Sequence, residues 1–168
     1  ERKPHLLTVV NDFVNRDVFC GYKIWQETTR GLPFQLVGDT PGLSKAAKDV
    51  NELRSFYQSS LIFLNTTLVS SAPVSPLEAM ACGCAVVSTD TTTMPDVIEH
   101  GVTGFLGKNP KELAELCRML LNEPELCRKV GLAAREMVVK RYAVSRFVRE
   151  WDAVFAKTAA ITYTGDAS

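Results

Sequence analysis

Short apolar runs alternate with stretches of helical period along most of this chain. His5 to Val10, Phe34 to Gly38, Leu61 to Leu64 and Cys84 to Ser88 are brief and rich in aliphatic and β-branched residues. Runs of that length without polar alternation predict strands buried on both faces. A shorter strand, bounded by glycines, is predicted over Gly101 to Gly107. Between the strands the period changes. Val18 to Thr29 predicts a helix with Asp17 near its start and Gly31-Leu32-Pro33 at its end. Asp49 to Tyr57 predicts another, with Val50, Leu53, Phe56 and Tyr57 on one face. A loop then opens a helix that carries Glu78 in its first turn, and a short helix is predicted at Met94-Pro95-Asp96. Three helices finish the chain. Asn109 caps the first, with Pro110 in its first turn and Leu113, Leu116, Cys117 and Leu120 inward. The second runs from Pro124 to Lys140. The third places Val144, Phe147, Val148, Trp151, Val154 and Phe155 on one face, which is expected to pack on this same domain; left uncovered, it would favour dimers.

Strands alternating with amphipathic helices define an α/β class with a parallel sheet covered on both faces. Residues 1–161 are read as one domain and Thr162 to Ser168 as a frayed tail. In such sheets ligands sit beyond the carboxyl ends of the strands. Those ends carry loops 11–17, 38–42, 65–75 and 89–95.

Composition narrows the partners. The 19 Lys and Arg balance the 19 Asp and Glu, and no basic block occurs, which argues against nucleic acid or an anionic membrane as the main partner. No apolar run is long enough to span a membrane, and no signal peptide is present, so a cytoplasmic location is expected. The five cysteines include no CxxC pair and read as reduced, packed thiols. The chain begins at Glu1 rather than Met, and is expected to be a domain of a longer protein. GxGxxG, Walker and GxSxG sequences are absent.

The chemistry concentrates in Ser70 to Ile98. Ser75-Pro76-Leu77-Glu78 has the spacing of a capping box, so Glu78 either bonds back to Ser75 or offers its carboxylate to the hydroxyls of a ribose. Thr91, Thr92 and Thr93 bring hydroxyls and backbone N–H groups to a strand end, where they suit a phosphate or sugar, or else cap the next helix. Arg16 is the one cation in its loop and a candidate for a diphosphate, with Lys23 a weaker one. His5 and His100 stand apart from any metal or triad partner. Asn65-Thr66-Thr67 matches a glycosylation sequon, taken as accidental in a cytoplasmic chain.

From Leu64 to Phe105 the chain resembles the donor-binding, C-terminal half of retaining GT-B glycosyltransferases of the group 1 type. The resemblance rests on Pro76-Leu77-Glu78-Ala79-Met80-Ala81-Cys82-Gly83, on Ala85-Val86-Val87-Ser88-Thr89, and on Pro95-Asp96-Val97-Ile98 leading to Gly101-Val102-Thr103-Gly104-Phe105. It extends more loosely through Leu113 to Tyr142, and upstream through Leu36 to Asp39 and Glu52 to Tyr57. It implies a Rossmann-like half of a GT-B fold. It also implies a metal-independent reaction without cofactor, and a nucleotide-diphosphate sugar donor, a UDP- or GDP-sugar. The acceptor would be held by an N-terminal half, through which peripheral membrane contact would come. Carried over, Glu78 holds the ribose. Val74, Ser75, Pro76 and Leu77 lie along the sugar and diphosphate, Thr92 and Thr93 complete that wall, and Gly38 sits beside the nucleotide.

The chain departs from the pattern at several points. Ser70 stands where the family has the first, catalytic-site Glu of its Glu-x7-Glu motif. Ser71-Ala72-Pro73 replaces Gly-Phe-Gly, and Pro73 has no N–H to donate. Thr92-Thr93-Met94 replaces a Gly-Gly pair. Asp12 takes the place of an Arg, for which Arg16 is the candidate substitute. The link from Gly38 to Glu52 lacks a strand. The alternative these departures raise is a non-catalytic GT-B-like binding or interaction module.

Overall fold

The computed structural model describes residues 2–70, 74–91 and 93–160. Pro73, Thr92 and the tail 162–168 lie outside them. Five strands, β1 (Lys3–Val9), β2 (Phe34–Val37), β3 (Ser60–Asn65), β4 (Ala85–Thr89) and β5 (Phe105–Gly107), form one sheet in the order β2-β1-β3-β4-β5. Every pairing is parallel. The helices are α1 (Asp17–Cys20), α2 (Tyr22–Thr28), α3 (Val50–Ser59), α4 (Val74–Ala81), α5 (Met94–Val97), α6 (Pro110–Asn122), α7 (Pro124–Arg141) and α8 (Val144–Ala159).

The apolar strand runs have a direct physical meaning. Successive side chains point to opposite faces, so a run serves two cores at once. Leu6, Ile62, Leu64 and Val87 join one core with Trp25, Leu113, Cys117 and Leu120. Leu7, Phe63 and Val86 join the other with Tyr57, Ala79, Met80 and Met94. The helix α7 contributes to both, Cys127 and Val130 to the first and Ala134 and Val138 to the second. It thus passes from one face of the sheet to the other.

Helix starts follow their caps. The Asp49 carboxylate accepts from the N–H groups of Asn51 (2.9 Å) and Glu52 (2.8 Å), while Glu52 accepts from Lys48 N–H (2.6 Å). Asn109 and Glu112 repeat the arrangement at α6. Three predicted elements differ. The helix expected over Val18 to Thr29 is two helices, because Gly21 turns left-handed (φ 71°) and packs directly on the Thr66 carbonyl, where a Cβ would come within 2.1 Å. Of the strand expected over Gly101 to Gly107, only Phe105 to Gly107 pairs with β4; Gly101 N–H closes a turn onto the Gly104 carbonyl instead. Among the described residues the apolar face of α8 stays open: Phe147, Trp151 and Phe155 are 60%, 47% and 61% exposed and contact one another along the helix. An amphipathic period shows which face is apolar, not what covers it.

All five cysteines are free. Burial pushes the thiols of Cys84 and Cys117 up to about 12 and that of Cys127 to about 11. Cys82 alone is partly exposed, and burial raises its thiol as well. A raised thiol has less thiolate at neutral pH, so it reacts slowly. A disulfide-exchange dye at pH 7.5 is therefore expected to titrate one thiol, slowly, in the native protein and all five in guanidinium. Rapid reaction of more than one native thiol would contradict this packing.

Candidate functional site

The strand order itself locates the site. β1 lies between β2 and β3, so the chain leaves β1 toward one side of the sheet and β3 toward the other. A crevice opens where the order reverses, beyond the carboxyl ends of those two strands. It is there that the structure holds a pocket of about 260 Å³. Val9, Val10 and Asn11 line it from β1, Arg16 and Cys20 from the loop and helix that follow, and Asn65, Thr67, Val69 and Ser70 from the end of β3. Val74, Ser75 and Pro76 close one side with the first turn of α4, and Met94 closes another. At that size it lies just below the ~300–1,000 Å³ common for small-molecule sites.

The loops around the pocket are fixed by hydrogen bonds, which is what keeps such a wall preorganised. Thr66 Oγ1 donates to the Cys20 carbonyl at 3.0 Å, and the N–H groups of Leu68 and Val69 share the Phe19 carbonyl. The hydroxyls of Thr89 and Thr91 both reach the Thr67 carbonyl, at 2.7 and 2.8 Å. Asn65 Nδ2 donates to Ser88 Oγ at 2.9 Å. Thr91 is therefore occupied by the scaffold. Thr93 differs: its Oγ1 is buried and has no hydrogen-bond partner among the described residues, a polar atom that a ligand or water would satisfy.

The residues singled out in the sequence fall into two groups. Arg16, Ser70, Val74, Ser75 and Pro76 converge on the pocket. Glu78 does not line it. The helix α4 begins at Val74, one residue before the expected cap, so Ser75 lies inside the helix and Glu78 in its second turn. The capping-box bond back to Ser75 is replaced by another: Glu78 Oε2 accepts from the Tyr57 phenol at 2.9 Å. The carboxylate faces an adjoining groove of about 210 Å³ between α3 and α4, lined by Val50, Leu53, Arg54, Tyr57, Ala81 and Cys82. The Tyr57 phenol that holds Glu78 also feels the Ser75 hydroxyl, which partly offsets the rise in its pKa. Burial first, and then the Glu78 carboxylate, push that phenol far above its ordinary value, so it remains a donor at any working pH.

Leu77 packs against the core of Tyr57 and Met80 rather than entering either depression. Gly38 ends β2 with its backbone against Val10 and beside Asn11, and so supports the pocket from behind. Lys23 is engaged by Asp17, whose carboxylate lies 3.5 Å from Nζ and accepts from the Lys23 N–H at 2.9 Å. Asp12 adopts a left-handed φ of 50° and accepts from Asn15 at 2.7 Å. Asn11, Asn65, Thr67 and Met94 line the pocket but are not among the site residues expected from the sequence. The signal was their position at strand ends. Among the described residues, no three His, Cys, Asp or Glu side chains are placed to share a metal ion. Among them too, no helix is long and apolar enough to cross a membrane.

A five-stranded parallel sheet with a pocket at its switch point and a helix N-terminus at the rim defines the class as a Rossmann-like α/β domain. Comparison with known proteins makes this specific. Residues 45–137, more than half of the chain, match the family described as glycosyl transferases group 1. The chain belongs to that family. It is 35% identical over 81 residues to N-acetyl-alpha-D-glucosaminyl L-malate synthase of Bacillus anthracis, a match covering 47% of this chain and 21% of that protein. Its fold is that of the C-terminal domain of a group 1 glycosyl transferase, LpcC from Francisella tularensis. That comparison has a TM-score of 0.68 at 18% identity, over 83% of this chain and 87% of the other. Anabaena HepE, solved with UDP and glucose, superposes with a TM-score of 0.75 at 16% identity, over 90% of this chain and 48% of that one. This chain thus spans about half of HepE and a fifth of the malate-linked synthase.

Proposed function

We propose that this chain is the donor-binding half of a glycosyltransferase. It takes a nucleotide-diphosphate sugar, UDP- or GDP-linked, for transfer to an acceptor held by an N-terminal half. The observation that carries the reading is the pairing of Glu78 with a pocket that runs past the N-terminus of α4. A helix N-terminus presents unbonded N–H groups and a partial positive charge, which suits a diphosphate. Arg16, which also lines the pocket, adds a full charge. The ribose hydroxyls would be accepted by the Glu78 carboxylate, with Thr92, Thr93, Val74 and Ser75 along the diphosphate and sugar. Gly38 acts behind the nucleotide by letting β2 approach β1. HepE was solved with UDP and glucose, which supports a nucleotide-sugar donor and leaves its base open. Free thiols fit a reducing, cytoplasmic setting. The exposed face of α8 is available to the missing half, through which any membrane contact would arise.

Such a site would act by positioning the donor and stabilising the leaving diphosphate, and no metal step is needed in this reading. Ser70 sets the limit. Its side chain lines the pocket where the family has a carboxylate near the donor sugar, so a second reading is a binding module without turnover. Calorimetric titration of UDP, GDP and their sugars is expected to give saturable one-to-one binding to one nucleotide series. Absence of binding to all of them would overturn the proposal. A turnover assay on the full-length protein separates enzyme from module.

A further inference from the structure

We propose that Tyr57 is a positioning residue for nucleotide recognition, holding the Glu78 carboxylate in the orientation that accepts the ribose hydroxyls. This inference rests on the donor-binding reading above and deepens it.

Glu78 is solvent-exposed on the outer side of α4, and an exposed glutamate ordinarily samples several rotamers. Among the described residues, no side chain of its own helix bonds it. One oxygen is instead held by a phenol from a different helix, 21 residues away in sequence, at 2.9 Å. That phenol belongs to a ring that is only 2% exposed, packed in the core beside Phe63 at a centroid distance of 5.8 Å. The ring therefore cannot follow the carboxylate; the carboxylate must come to it. Oε2 is anchored, and Glu78 lines the groove between α3 and α4. A carboxylate has about four acceptor sites and the phenol uses one, which leaves room for two vicinal hydroxyls.

Glu78 and the pocket-lining Ser75 stand three residues apart on α4. Anchoring Glu78 to a rigid core ring therefore fixes the ribose-binding carboxylate relative to the diphosphate-binding terminus of the same helix. Preorganisation of this kind improves affinity by removing the cost of ordering side chains on binding.

The test separates positioning from a purely structural role by making the ligand's ribose the variable. The full protein is titrated with UDP and with 2′,3′-dideoxy-UDP, and with the GDP pair in parallel, for the wild type, Tyr57→Phe, Glu78→Ala and the double variant. Tyr57→Phe removes one oxygen and keeps the packed ring, and a melting curve confirms folding. It is expected to weaken the ribonucleotide roughly five- to tenfold and to leave the dideoxy nucleotide unchanged. In the Glu78→Ala background it is expected to add nothing. Equal weakening of both ligands by Tyr57→Phe, or none, overturns the inference while leaving the role of Glu78 intact. A Glu78→Ala variant that does not distinguish the two ligands overturns the ribose assignment itself, and so does a wild type that binds none of the four.

Discussion

Replacing Glu78 with alanine is expected to weaken nucleoside diphosphate binding by roughly 10- to 150-fold, the equivalent of one to two hydrogen bonds to a charged acceptor. The effect arises because the carboxylate is exposed to the groove and held at 2.9 Å by Tyr57, so its lost interactions are with the ligand more than with the fold. Folding stability is expected to fall by about 1 kcal/mol, the net worth of the one hydrogen bond that the Tyr57 phenol loses. Calorimetry and thermal melting on the same samples check both halves. A variant that binds as tightly as the wild type would remove Glu78 from the site. A variant that melts many degrees lower would make its role structural.

The second large effect is on folding. Gly38→Ala is expected to cost roughly 3–5 kcal/mol, a severe value for a single methyl group. Gly38 has a φ of 135°, which L residues avoid, and an alanine Cβ there would stand 1.8 Å from the Val10 carbonyl oxygen. The strand ends cannot separate cheaply. Val10 N–H donates to the Val37 carbonyl at 2.9 Å, Asp12 N–H to the Asp39 carbonyl at 2.7 Å, and Asp39 N–H to Asn11 Oδ1 at 2.8 Å. Forcing β2 from β1 would break this lattice and displace Asn11 from the pocket wall. For a domain of this size the melting temperature should fall by roughly 6–20 °C. An alanine variant within about 1 kcal/mol of wild type in urea denaturation would show that the turn is not as tight as described.

These two residues show what kind of information the sequence carries. The strands were legible because a residue run buried on both faces leaves no choice of period: Ile62, Phe63 and Leu64 can only be core. The pocket was legible in outline because parallel strands put their loops on one edge, and loops 11–17 and 65–75 do line it. Glu78 was legible as an alternative between cap and ligand carboxylate. Its actual partner was not, because Tyr57 reads as an ordinary member of an apolar helical face. Only the packing of α3 against α4 turns its hydroxyl toward Glu78. The exposed face of α8 was illegible for a different reason. Its pattern equals that of α6, yet Leu113, Cys117 and Leu120 are fully buried while no residue of α8 is. Which helix finds a partner depends on what else is present, not on its own period. The break at Gly21 was a missed signal, since a glycine after a short polar-capped turn is a common left-handed helix end.

The most direct test of the central claim is a crystal structure of the protein with UDP or GDP soaked in. The account predicts the ribose hydroxyls within hydrogen-bond distance of Glu78, with the Tyr57 bond retained. The diphosphate should lie across Ser75 at the start of α4, facing Arg16. A nucleotide bound elsewhere, or one in this cleft with its ribose turned away from Glu78, would contradict it.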